Sequence, residues 1–284
     1  MGVVRRKSLS GTIIRYILVA IIIFWAIFLI YWGVVTSLKP PAETFTITGL
    51  SVPFLQFQPT LENWRTELST RESRSALLNS IIVAVSATLI ALVLGVPAGY
   101  ALARFEFRRM KNRDLTIWFL SQRVLPPVVV LIPFFLIMRT LHLLDTVWAL
   151  VLVNATFVLP FAVVIMRQTF QDLPAELEEA AEVDGCSDFM SFWRISLPLA
   201  VPTLVAVAAI CVAFTWNEFL FALSLTTLRA KTFPVYLAGA EDTRGVQFWF
   251  IATRAILALA PPTILALFIQ RYIVRGLTFG AVKG

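Results

Sequence analysis

Pro174–Pro202, reading PAELEEAAEVDGCSDFMSFWRISLPLAVP, is a polar island between two long apolar runs. Pro174 suits the first turn of a helix, where a missing N–H leaves no bond unmade. Asp172 or Leu173 is expected at the cap before it. Leu177, Ala180, Ala181 and Asp184 recur at i, i+3, i+4 and i+7, so one narrow face of that helix is small and mostly apolar. Glu176, Glu178, Glu179 and Glu182 fill the other faces. Gly185 supplies the left-handed residue that stops the helix, and Ser187 caps a second short helix expected over 188–194. The pattern predicts helix, glycine, helix, lying outside the hydrocarbon and presenting its alanine face to a partner.

Outside the island the chain is built for lipid. Its 284 residues are 58% hydrophobic and only 14% charged, with a mean hydropathy of +0.82, which excludes an ordinary soluble domain. About 20 apolar residues cross a hydrocarbon core roughly 30 Å thick. On that measure six spans are expected, near 13–35, 77–103, 115–139, 147–168, 201–225 and 249–271, in a single domain over 1–284 with the polar loop at 172–198. The first run is too long for a signal-peptide core and reads as an uncleaved span. Lys39 to Arg74, with Pro40, Pro41, Pro53 and Pro59, reads as a loop too short for its own domain. Gly95, Pro97 and Gly99 near the end of the second span allow a close helix approach or a local loosening. Of the Lys and Arg residues in loops and termini, fourteen fall on the side of the termini and the polar island, and eight on the other. The positive-inside rule therefore places both termini and the island in the cytoplasm.

A few polar residues interrupt the spans. Asn154 lies about 10 Å deep from the outer end of the fourth span, and Asn217 and Glu218 are at a similar depth in the fifth. Arg254 is about 8 Å deep in the sixth, whereas Arg123 sits about 12 Å in from the inner side and belongs to a different contact. Two readings of the outer layer stay open. In one, Glu218 and Arg254 form a brace between spans five and six. In the other, Asn154, Asn217, Glu218 and Arg254 line a wet cavity or gate for hydroxyls, with Trp216 as a stacking face. Charges inside a membrane point to function by default.

Other chemistries lack their residues. No G-x-x-x-x-G-K-[ST] occurs, so nucleotide phosphates have no P-loop here. Cys186 and Cys211 offer no disulfide framework or metal spacing, and one His with scattered carboxylates argues against a metal enzyme. An ion-coupled secondary transporter using Glu218 as its proton site is the alternative; inverted repeats are expected of such a protein, and none is evident. A scaffold without transport would not gather polar residues at one depth.

The island resembles the EAA loop of ABC-importer permeases, through Glu179, Ala180, Ala181, Asp184, Gly185, Phe192, Ile195, Leu197, Pro198, Leu199 and Pro202. The likeness extends to Leu78-Asn79-Ser80, the run Tyr100–Phe107, Trp216-Asn217-Glu218 and the ending Gly276–Gly284. Within the family the chain is most similar to the smaller permease subunit of maltose-type importers; Phe279 departs from a position usually small. The resemblance implies an all-α integral membrane protein of type I ABC importer permease fold, with six spans and a cytoplasmic coupling helix, in a bacterial or archaeal inner membrane. It implies Glu178, Glu179, Ala180, Ala181, Asp184 and Gly185 as the ATPase-coupling residues, with Glu179 meeting a basic residue there. It also implies a tail, with Gly276, Leu277, Thr278, Gly280 and Lys283, that reaches the ATPase. The implied partners are a second permease, a dimer of cytoplasmic ATPase subunits and an extracytoplasmic binding protein, in contact with membrane lipid and with no nucleic acid. ATP and Mg would be bound by the ATPase and no cofactor by this chain, which is then a transport subunit and not an enzyme. Its solute would be a sugar, polyol or related carbohydrate, with the larger permease making most of the contacts.

Overall fold

A computed structural model describes the backbone of residues 9–44, 51–239, 241–242 and 245–279, and the side chains of those between 13 and 270 other than 241–246. Among the described residues the chain is mostly helical. Its helices are α1 (Leu9–Ser37), α2 (Glu62–Ser69), α3 (Arg71–Arg104), α4 (Asn112–Ser121), α5 (Pro127–Thr140), α6 (Val147–Asp172), α7 (Glu176–Val183), α8 (Asp188–Ser191), α9 (Leu197–Trp216), α10 (Leu220–Leu225), α11 (Phe233–Ala238) and α12 (Phe248–Phe279). Two-residue strands, β1 (Glu241–Asp242) and β2 (Gly245–Val246), pair antiparallel.

Five helical stretches among the described residues are long and apolar enough to cross a membrane: Ile13–Ser37, Arg71–Arg104, Val147–Asp172, Asp188–Trp216 and Phe248–Gln270. The third expected span departs from this. It is not one helix over 115–139 but α4 and α5, separated by a turn at 122–126. Pro126 has no N–H to give, and Pro127 after it forces Pro126 to an extended ψ of 131°. The fifth expected span, 201–225, is also interrupted: α9 ends at Trp216 and α10 begins at Leu220. At its other end this helix starts earlier than expected. α8 passes into α9 through a wide π turn at Phe192–Ser196. In a regular helix Pro198 would press on the carbonyl of Arg194 four residues back, and the widened turn opens the helix at that point.

The chain divides into two compact units. The smaller comprises the residues up to Thr70 together with Ala240–Leu257. Here Asn63 donates to the Ser37 carbonyl (2.9 Å) and the Lys39 carbonyl (2.8 Å), and the Trp64 indole donates to the Ser37 hydroxyl (3.1 Å). α2 thereby closes the end of α1, and gives helical structure to a segment expected as loop. The described side chains of α1 are largely exposed and apolar, as a lipid-facing helix requires.

The larger unit comprises Arg71–Gly239 and Ala258 onward, and is organised around α3 packed along α6, with α9 against both. Gly95 and Gly99 explain the closeness. A Cβ on Gly95 would lie 2.6 Å from the Ala162 Cβ, and one on Gly99 would lie 2.9 Å from the Arg167 N and the Val163 O. Small residues let two backbones touch in this way. One buried cluster holds Tyr100, Met166, Phe170, Phe192 and Cys211 near the α7 end, and the other holds Leu150, Val153, Phe221 and Leu225 toward the opposite end. At that opposite end Asn79 donates to the carbonyls of Arg229 and Lys231, and Ser80 accepts from the Phe233 N–H.

Candidate functional site

α7 forms as the glutamate–alanine pattern predicts, but its start differs. Neither Asp172 nor Leu173 caps it; the cap position is Ala175, which offers no side-chain bond. Leu173 instead ends α6 in an extended conformation, because Pro174 follows it. The end of α7 is as expected. Gly185 has φ of +86°, its N–H bonds the Glu182 carbonyl (3.0 Å), and the Cys186 N–H bonds the Ala181 carbonyl (2.9 Å), a Schellman closure. Ser187 caps α8 by accepting from the Met190 N–H.

The expected coupling face divides in two. Glu179, Ala180, Asp184 and Gly185 are exposed. Ala181 and Glu178 are buried in the chain's own packing, each 8% exposed. Both side chains thus present little surface in this structure. The Glu178 carboxylate points into the larger unit. Its Oε1 accepts from the Arg104 Nε (2.9 Å) and Nη2 (2.9 Å) and from the Ser196 hydroxyl (2.6 Å), while Oε2 accepts from the Tyr100 hydroxyl (2.8 Å). Arg104 also donates to the Leu173 carbonyl at the end of α6 (3.2 Å). Burial by itself raises the Glu178 pKa, but the bonds from Arg104, Ser196 and Tyr100 outweigh it and hold the carboxyl below its usual range. The large apolar side chains left outside are Leu177, Val183 (89% exposed), Phe189 (74%), Met190 and Trp193. Of these only Leu177 figures in the spacing argument; the others lie outside the i, i+3, i+4, i+7 pattern. Tyr100 and Arg104 carry a signal that sequence could offer: they are four residues apart on one helix face, with the arginine in the last turn.

The outer polar layer assembles only in part. Asn154 is buried and donates to the Leu150 carbonyl (2.9 Å). The Glu218 carboxylate accepts from the N–H groups of Phe221 (2.7 Å) and Ala222 (3.0 Å), so it closes the first turn of α10. In the smaller unit the Arg254 Nε donates to Glu67 (3.0 Å), a carboxylate in a segment that the span-based reading takes as loop. Trp216 is 4% exposed, and its indole N–H bonds the Ala258 carbonyl (3.0 Å), so it offers no stacking face. Asn217 is exposed with its amide nitrogen on the Ala213 carbonyl (2.8 Å). Arg123 stands apart, as expected: it donates to the Phe157 carbonyl (3.1 Å) and lies over the rings of Phe161 (4.1 Å) and Phe214 (5.2 Å). Of the expected tail residues, Gly276, Leu277 and Thr278 continue α12, which does not stop near 271; Gly280 and Lys283 lie outside the described residues.

Residues 95–279 match the family profile described as the binding-protein-dependent transport system inner membrane component. The chain is 37% identical over 276 residues to the trehalose transport system permease protein SugB of Mycobacterium tuberculosis, covering 94% of this chain and 96% of that protein. It is 36% identical over 277 residues to the trehalose/maltose transport system permease protein MalG of Thermococcus litoralis, covering 96% of each. Among solved structures it is similar to a chain of a bacterial ABC transporter involved in the import of the acidic polysaccharide alginate, with a TM-score of 0.77 and 23% identity over 94% of this chain and 98% of that one.

Proposed function

The chain belongs to the family of inner-membrane components of binding-protein-dependent transport systems, and from that premise we propose that it is one of two permease subunits of an ATP-driven importer for a sugar, polyol or related carbohydrate. The naming of SugB for trehalose and of MalG for trehalose and maltose supports the solute class. A binding protein outside would deliver the solute, and a pair of ATPase subunits inside would bind ATP and its Mg; the sequence itself has no P-loop for them.

The observation that carries the reading is the α7–α8 segment. A polar helix closed by Gly185 leaves Val183 and Phe189 outside the chain's own packing, with Glu179 and Ala180 exposed in the same segment. Apolar groups standing out of a charged segment mark a surface made for a partner. The partner would be the ATPase, with Glu179 facing a basic residue on it and the basic asymmetry of the loops placing this segment in the cytoplasm. The ion-coupled alternative fits the geometry less well. Its proton site would be Glu218, whose carboxylate is committed to two backbone N–H groups.

Purification of the chain from its native membrane with its bound partners, followed by reconstitution, tests this. A soluble ATPase and a second permease should co-purify, and vanadate should abolish carbohydrate uptake into the proteoliposomes. Uptake driven by an ion gradient and insensitive to vanadate would overturn the proposal.

A further inference from the structure

We propose that Glu178 is a positioning residue for transport: its buried carboxylate fastens α7 to α3 and to the π turn before α9, so that displacement of α7 is delivered to those helices through this side chain. The inference rests on the reading of the chain as an ATP-driven permease and goes beyond it, because it assigns a residue of the coupling segment to force transmission and not to docking.

The covalent route through α7 is soft. Before it, Leu173 is extended and Ala175 offers no side-chain cap. After it, Gly185 is left-handed with nothing within 4 Å of where a Cβ would stand, and Ser187 is extended. Both connections turn at single bonds and can absorb a displacement without passing it on. The non-covalent route is stiff. One carboxylate takes four donor contacts of 2.6–2.9 Å from three side chains. Charge-assisted bonds of this kind are the stronger class, and a bond to each of several elements leaves few ways to rotate. The donors stand where leverage is needed: Tyr100 and Arg104 in the last turns of α3, and Ser196 at the end of the π turn. Arg104 adds the end of α6 through Leu173. Behind the carboxylate the Tyr100 ring packs on Phe170 (5.3 Å between centroids) and Phe192 (4.8 Å), which ties the bonds to the buried cluster around α6 and α9. Glu179, one position on and exposed, has none of these contacts among the described residues.

The test uses the whole importer, reconstituted with its ATPase and binding protein, with ATP hydrolysis and carbohydrate uptake measured on the same vesicles. Glu178→Gln keeps the shape and removes the charge that holds Arg104. Uptake per ATP hydrolysed should fall about tenfold, a loss of about 1.4 kcal/mol of coupling, while the ATPase still co-purifies in wild-type amount. Tyr100→Phe, which removes one bond and keeps the ring, should lower the same ratio by a smaller factor; it carries the test if Glu178→Gln fails to fold. An unchanged ratio in a folded Glu178→Gln complex, or in Tyr100→Phe where the first variant is lost, would overturn the proposal. Loss of bound ATPase with an unchanged ratio in the remaining complexes would do so too, and would return Glu178 to a docking role. A wild-type complex without ATP-driven uptake would instead sink the functional reading on which the proposal stands.

Discussion

Asp145 shows how much one side chain can organise. It sits at φ of +56° in the turn between α5 and α6. Its carboxylate accepts from four consecutive backbone N–H groups, those of Thr227, Leu228, Arg229 and Ala230. Burial alone would raise its pKa, but these four bonds outweigh it and bring the pKa down to about 2. A folded-state pKa below the unfolded value of 3.8 means stability that is fully present above that value and lost as pH falls toward 2. Asp145→Asn tolerates the same backbone conformation and keeps the size, so it isolates the charge. It should cost about 1–3 kcal/mol at neutral pH. In thermal melts the gap from wild type should shrink steadily below about pH 4; a gap independent of pH would refute the assignment. The sequence does not single this residue out, for the same reason that it does not separate Glu178 from Glu179. Glu178 and Glu179 are the same residue type on one short helix, and what separates them is an arginine 74 positions earlier. Local spacing carries helix and glycine stop; it does not carry which of two neighbouring glutamates turns inward.

Elements were legible where apolar length decides and less so where a break decides. α1, α3, α6 and α12 begin within a few residues of the apolar runs that announce them. In the third span Pro126-Pro127 marks the interruption at which the helix breaks, whereas the fifth reads as continuous because the apolar run resumes beyond Asn217-Glu218, although the helix stops there. Broken helices at membrane depth are tolerated where neighbours satisfy the freed groups, and Glu218 does this for Phe221 and Ala222. Gly95 and Gly99 were legible as a close approach, and the approach is between α3 and α6. At Gly99 an added Cβ meets backbone atoms of α6, which cannot swing aside. Gly99→Ala should therefore lower stability by about 1–3 kcal/mol through overpacking. Gly33→Ala is the control, since its Cβ would meet only the end of the Ile256 side chain at 3.4 Å. Melting of both variants in detergent checks the contrast. A Gly99→Ala protein as stable as wild type would show that α3 and α6 separate at no cost.

At the scale of the molecule the remaining question is which way the chain threads the membrane. If the five long helical stretches among the described residues each cross and the broken pair α4 and α5 crosses once, the crossings are even in number. The basic residues favour the α7 side as cytoplasmic, because lysine and arginine resist translocation while short loops are inserted. Within the larger unit, Val183 in α7 and Leu228 in the turn after α10 are 89% and 82% exposed, so a thiol at either position would be open to reagent. They flank the crossing made by α9 and α10 and should fall on opposite faces of the membrane. Cys186 stands near Val183, so the experiment starts from a background in which Cys186 and Cys211 are serine. In intact cells a membrane-impermeant maleimide should label the Leu228→Cys protein and spare the Val183→Cys protein; after permeabilisation both should react. Labelling of Val183→Cys in intact cells would place α7 outside, beyond the reach of any cytoplasmic ATPase. The threading and the proposed coupling would then fail together, whereas protection of α7 leaves the coupling helix where ATP hydrolysis can move it.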